Sequence, residues 1–409
     1  MIAFDKNLLV KTLMKANFWI IIFFITYFIF GLVIVGDYGI STDEPTERET
    51  SWRQYKFAIS KIYFVMTKKE LPSLVESHVW HQNYLQGSRD KYYGTFLQWP
   101  TLALEHLSNF EMPLSQVYLW RHRLNFFYFF SALICFYLLL KQRFKHSLLA
   151  LIGILMVVLH PRFFAEAFYN NKDVLFAATY IIAIYFGDQW LRKKSWLSLA
   201  PWVFASALAM NTRILALIIP LIYCSADIFQ LAQSYIGQKI KLKDIVVRLS
   251  QIFMALISIF VIYILTHPTA WGNELNFIFE VFKSFSHYDL WQGTTLYFGK
   301  LIPWNEVPWH FIVGYLWATT PIIFSALIII GLLLYVYNLI RLIIKDFSVI
   351  RSNKIKFYFG QKNNFFYQIF APDNLVFISF LAPILAVIIF QSVLYNSWRH
   401  LYFIYSFPT

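Results

Sequence analysis

Long apolar runs, separated by short polar and basic stretches, organise the chain from Phe18 onward. They show neither the alternation of a half-buried strand nor the single stripe of a surface helix. Most approach the roughly 18 to 20 residues that a helix needs to cross a hydrocarbon layer about 30 Å thick. A helix satisfies its own backbone hydrogen bonds, so it is the spanning form such runs imply. The pattern predicts spans over Phe18–Val35, Phe126–Leu140, Ser147–Leu159, Val174–Trp190, Trp196–Met210, Ile214–Ile228, Ile252–Thr266, His310–Ile340 and Leu375–Leu394. The eighth is long enough to be tilted, broken or two elements. A further apolar run follows His400 and stops at Thr409, so about nine or ten spans are expected, with a C-terminus that is shortened or ends in a helix not fully represented.

The polar stretches orient these spans. Lys6, Lys11 and Lys15 precede the first run, and basic residues recur in 141–146, 192–194, 237–248 and 341–364. The bias of Lys and Arg toward the cytoplasmic side places all of these inside. Two long polar segments, 36–118 and 267–308, then fall outside. The first run lacks a small-residue cleavage site before Gly36 and Asp37 and reads as a retained helix. The expected fold is an all-α polytopic membrane protein, a single domain over 1–409.

Composition agrees with this reading. Hydrophobic residues make up 58% of the chain, more than a soluble domain carries. The net charge of +13 is spread through loops between apolar runs, where it serves topology, so no nucleic-acid partner is expected. Cys135 and Cys224 both lie inside apolar runs, which indicates no disulfide framework and no thiolate metal site. No P-loop, dinucleotide glycine motif or serine-nucleophile elbow is present in a strand–turn–helix context.

Five polar clusters from distant parts of the chain share the outer side. They are Ser41 to Arg48, Arg89 to Gly94, His160-Pro-Arg162, Asn170 to Asp173, and Trp398-Arg399-His400. Charge beside a span is costly and often functional. Each cluster also has a bland explanation. Asp43 and Glu44 before Pro45 suit the start of an amphipathic helix over Pro45–Val65. Lys172 and Asp173 suit a helix cap. Arg399 suits an interfacial anchor. The functional alternatives make one carboxylate of Asp43 and Glu44 a general base, put Lys172 on a phosphate, and give Asp173 a sugar hydroxyl. Arg399 then supplies a fork for phosphate. His78 and His81 share a helical spacing, yet nothing supplies the remaining metal ligands.

Gly36-Asp-Tyr-Gly-Ile-Ser-Thr-Asp43-Glu44-Pro and the stretch His160 to Asp173 resemble the glycosyltransferase family 39 group. These are polytopic enzymes that use polyprenyl-phosphate-linked sugars, among them the protein O-mannosyltransferase and aminoarabinose-transferase types. Tyr92-Tyr93-Gly94 and Asn396-Ser-Trp-Arg399-His400-Leu-Tyr-Phe add matches in the same order. The resemblance implies a GT-C-like helix bundle with short helices lying along the membrane in the first outer loop. It implies a polyprenyl-phosphate sugar as donor and a lipid, glycan or protein acceptor. Asp43 takes the place of the catalytic base and Asp173 a second acidic position, with Glu44, Tyr93, Arg162, Lys172, Arg399 and His400 as further substrate contacts. Glu166 stands where close relatives carry histidine. The expected location is a bacterial cytoplasmic membrane, with the site on its outer side. No metal is required if basic side chains neutralise the phosphate. A divalent ion on the Asp43–Glu44 pair stays an alternative, as do a transporter or lipid flippase and a non-catalytic subunit descended from a transferase.

Overall fold

The computed structural model describes residues 6–69, 85, 90–236, 240–286, 292–350, 368–389 and 399–406, without the side chains of 6–17, 285–286, 346–350, 400 and 404–406. The chain folds as a helical bundle. Its helices are α1 (Lys6–Ile34), α2 (Glu44–Thr67), α3 (Trp99–Leu107), α4 (Leu114–Phe144), α5 (Ser147–Val158), α6 (Pro161–Tyr169) and α7 (Asp173–Lys193). They continue with α8 (Trp196–Thr212), α9 (Ile218–Ile236), α10 (Leu242–Leu265), α11 (Glu274–Ser286), α12 (Phe311–Thr319), α13 (Ile322–Ile350) and α14 (Pro372–Ile389). One antiparallel hairpin, β1 (Thr294–Tyr297) with β2 (Lys300–Pro303), and 3-10 segments at Val35–Asp37, Phe96–Gln98, Ile214–Leu217, Pro268–Ala270 and Arg399–Ser406 complete the described elements.

Among the described residues seven helices are long and apolar enough to cross a membrane, and eight if the α5–α6 pair, bent by 71°, counts as one crossing. The protein is an all-α polytopic membrane protein. The count falls below the nine or ten expected because two of the expected spans form helices that are too short alone: α5, with 12 residues, is about 18 Å long, and α8, with 17, about 25 Å. The run His310–Ile340, expected as one long span that could be broken, splits at Pro321 into the short α12 and the spanning α13, because the residue before a proline leaves the helical region.

Span ends follow local capping. Asn170 Oδ1 accepts from the backbone N–H of Asp173 at 2.8 Å, and Asp173 suits the positive end of the helix it begins. At the far end of α7, Arg192 and Lys193 occupy the last turn and Lys194 closes it in the left-handed conformation. Ser195 and Ser198 form a reciprocal capping box that starts α8. The two helices run antiparallel, packed through the stacked indoles of Trp190 and Trp202, with ring centres 4.3 Å apart. Gly187 admits that approach, since a Cβ there would lie 2.8 Å from Trp202 Nε1.

The first polar segment corrects one boundary. It was expected to run over 36–118 with the next span starting at Phe126, but α4 begins at Leu114. The added turns carry Arg121, His122 and Asn125, all buried. Arg121 donates to Gln98 and His122 meets Glu44, both in the polar segment, while Asn125 donates to the Ala167 carbonyl of α6, so all three are held within the helix instead of ending it. The second segment, 267–308, holds α11 and the hairpin.

Candidate functional site

One end of the bundle gathers the polar clusters. α2 starts with Pro45 in its first turn and Asp43 at its N-cap, and the Asp43 side chain makes no capping bond. Its carboxylate is instead half exposed and paired with Arg399, Nη2 to Oδ2 at 2.7 Å. Arg399 reaches Asp173 with Nε at 3.4 Å from Oδ2. Asp173 is buried and carries a second, shorter pairing with Arg213, the residue that follows α8. Two carboxylates therefore share one guanidinium, and Asp173 holds two.

Beside this chain of charges, Lys172 Nζ lies 2.9 Å from Asp90 Oδ2 and 3.9 Å from the centre of the Tyr93 ring. Arg213 packs against the same ring at 5.7 Å. Tyr93 is held from behind by Gln54, whose Nε2 donates to the Tyr93 carbonyl at 2.8 Å. The next residue, Gly94, donates from its backbone to the Asn211 carbonyl at 2.8 Å. A Cβ at Gly94 would stand 2.3 to 2.5 Å from Asn211 atoms, which is why the Tyr-Tyr-Gly stretch ends in glycine. His267 anchors the same stretch, its Nε2 meeting the Tyr92 carbonyl at 3.3 Å. Burial pushes the His267 imidazole down to about 4, so the ring is neutral and this nitrogen is the donor.

Adjacent carboxylates on α2 have separate environments. Glu44 is buried, accepts from the Ser41 backbone at 2.7 Å and meets His122 Nε2 at 2.8 Å. This placement makes it a brace between α2 and α4. Glu47, one turn later, is also buried. Burial raises its carboxyl to about 8; Lys172 and Arg121 oppose the rise, while Asp173 and Asp43 add to it. The Asn171 amide donates to Glu47 and accepts from Arg121, whose Nη2 also donates to Gln98 Oε1 at 2.7 Å. A small cavity of about 30 Å³, room for a water or two, lies among Glu47, Asp90, Tyr93, Gln98, Asn171 and Lys172.

Glu166 continues the network. Asn170 Nδ2 donates to it at 2.6 Å, and Tyr402 Oη donates to its other oxygen. Arg162 meets the same hydroxyl at 3.5 Å, so it faces the edge of the cluster. His160 caps α6, accepting from the Arg162 backbone at 3.3 Å.

The structure thus brings together Asp43, Tyr93, Lys172, Asp173 and Arg399, with Glu44 behind them and Arg162 beside them. The side chain of His400, and His78, His81, Arg89 and Asn396 to Trp398, lie outside the described residues. Among the described residues no three His, Cys, Asp or Glu side chains converge as metal ligands. Sequence reasoning missed Glu47, Arg121, His122 and Arg213 as members of the site. A signal for Arg121 and His122 was available: charge within an amphipathic lead-in to a span. No family model matches the chain, and no curated protein or solved structure matches it.

Proposed function

We propose that this protein is a membrane glycosyltransferase that moves a sugar from a polyprenyl-phosphate donor to an acceptor hydroxyl at the extracytoplasmic face. The observation that carries the reading is the exposed Asp43 carboxylate, tethered by Arg399 to a cluster of cations around Asp173 at one end of a spanning bundle. The resemblance of the Asp43 and Asp173 stretches to family 39 points the same way, and with it to a GT-C-like bundle in a bacterial cytoplasmic membrane. Asp43 takes the proton of the acceptor hydroxyl as that oxygen attacks the anomeric carbon. The bond from the anomeric carbon to the phosphate oxygen breaks, and its electron pair leaves with the polyprenyl phosphate. A single displacement inverts the anomeric centre.

The growing phosphate charge falls to Arg399, Lys172 and Arg213, preorganised by the carboxylates they already hold. Glu47 stays protonated near neutral pH, so it adds no negative charge where a phosphate must bind. Lys172 over the Tyr93 ring leaves a polar and aromatic wall suited to sugar hydroxyls. No step needs a metal, because basic side chains supply the neutralising charge.

The test is transfer of radiolabelled sugar from polyprenyl-phosphate donors into membrane extracts, comparing the wild type with Asp43→Asn at equal abundance. Loss of roughly 100-fold or more in the variant is expected for a missing general base. Transfer by both proteins at the same rate would remove Asp43 as base. Transfer by neither, with donor still bound, would overturn the enzyme reading.

A further inference from the structure

A crevice of about 300 Å³ opens between α4, α13 and α14 at the end of the bundle away from Asp43. It lies about six turns of α4, roughly 33 Å, from Arg121, so nothing about it depends on the chemistry at Asp43. Its floor is apolar, formed by Phe136, Leu139, Ile328 and Phe380, and its mouth carries Arg143, Asn338 and Asp373. One wall is fixed by Tyr335 stacked on Phe377, ring centres 4.0 Å apart. Gly331 keeps the middle open: a Cβ there would meet nothing within 4 Å.

We propose that this crevice binds an anionic phospholipid, with an acyl chain against the floor and the phosphate on Arg143. Three observations select that occupant. The walls belong to spanning helices, and α13 exposes Ile330, Leu333 and Leu334 around the crevice, so the opening faces lipid. The carboxylate at the mouth is paired with Arg192, which it shares with Asp188 at 2.8 Å, and the cations at this end outnumber these two carboxylates. Arg143 donates to the Asp373 carbonyl at 2.7 Å, a neutral acceptor that leaves its positive charge to attract an anion. Lys141 and Lys145 on either side of Arg143, and Arg341 one turn beyond Asn338, make this end basic. Basic pockets between spanning helices are favourable sites for anionic headgroups, and the arginine fork fits a phosphate.

The experiment is native mass spectrometry of the full chain equilibrated with equal amounts of phosphatidylglycerol and phosphatidylcholine. The wild type is expected to retain phosphatidylglycerol several-fold over phosphatidylcholine. Arg143→Gln is expected to bring the two to parity, and Gly331→Phe, which fills open space, to lower retention of both. Arg143→Lys, which keeps the charge without the fork, should fall between wild type and Gln and covers the case of a poorly folded Gln variant. Equal retention of both lipids by the wild type would overturn the assignment. So would phosphatidylglycerol retention that is unchanged in Gly331→Phe.

Discussion

Arg399 Nη2 lies 2.7 Å from Asp43 Oδ2, and the same side chain reaches Asp173, so one residue joins the two acidic positions from the far end of the chain. Asp43 is half exposed, and no capping bond orients its carboxylate. Arg399 is therefore what aims it. Arg399→Gln is expected to lower turnover about 10- to 100-fold, as small misplacements of a catalytic group do. Arg399→Lys should recover part of this, since it restores charge but not the fork. The loss should fall on kcat more than on KM. Unchanged turnover per folded molecule would make the pairing a structural tie alone.

Glu47 gives the protein a pH signature. Its carboxyl rises from an ordinary 4.5 to about 8 in the folded state, chiefly through burial. Between these values the unfolded chain has lost a proton that the folded chain keeps, so this group's contribution to stability falls as pH rises and levels off above pH 8. Glu47→Gln cannot ionise and should be no more stable than wild type near pH 4, then increasingly more stable up to pH 8. Thermal unfolding in detergent across that range reads the difference directly. Parallel curves for the two proteins would place the Glu47 titration elsewhere.

At Gly94 the constraint is steric. A methyl group would press on both the amide and the carbonyl oxygen of Asn211, and the backbone atom cannot rotate away. Gly94→Ala is expected to cost about 1 to 3 kcal/mol, the range for overpacking a tight contact. It should also displace Tyr93, and with it the ring that Lys172 and Arg213 share. Lower thermal stability together with weaker donor binding is the expected pair of results. A variant with full stability would show that the loop yields freely.

The bundle was legible in the sequence because lipid imposes a simple rule: a run is long and apolar or it does not span. The length of the run His310–Ile340 allowed for a break, which falls at Pro321 between α12 and α13. The start of α4 was not legible, because Arg121 and His122 look like loop residues until their partners are known. Those partners, Gln98 and Glu44, lie 23 and 78 positions away. The site divides along the same line. Asp43, Lys172, Asp173 and Arg399 stand out as charges at the edges of apolar runs. Glu47 and Arg213 acquire meaning only through pairings between helices, and periodicity carries no record of those.

Asp227 on α9 has no exposed surface and is paired with Arg248 on α10, while Lys194 Nζ approaches within 3.7 Å. Arg248 also donates to Gln251 at 2.5 Å and packs over the Trp190 ring at 5.2 Å, so both charges are enclosed by helices. Removing one partner strands the other where neither water nor lipid can solvate it. Asp227→Leu should therefore destabilise the protein by about 3 to 5 kcal/mol. Replacing both charges, with Asp227→Leu and Arg248→Leu together, exchanges a costly pair for apolar packing and should be far milder than either single change. A double-mutant cycle in denaturant measures this coupling. Strictly additive losses would mean that each charge is stabilised by other neighbours, with Lys194 and Gln251 the first to examine.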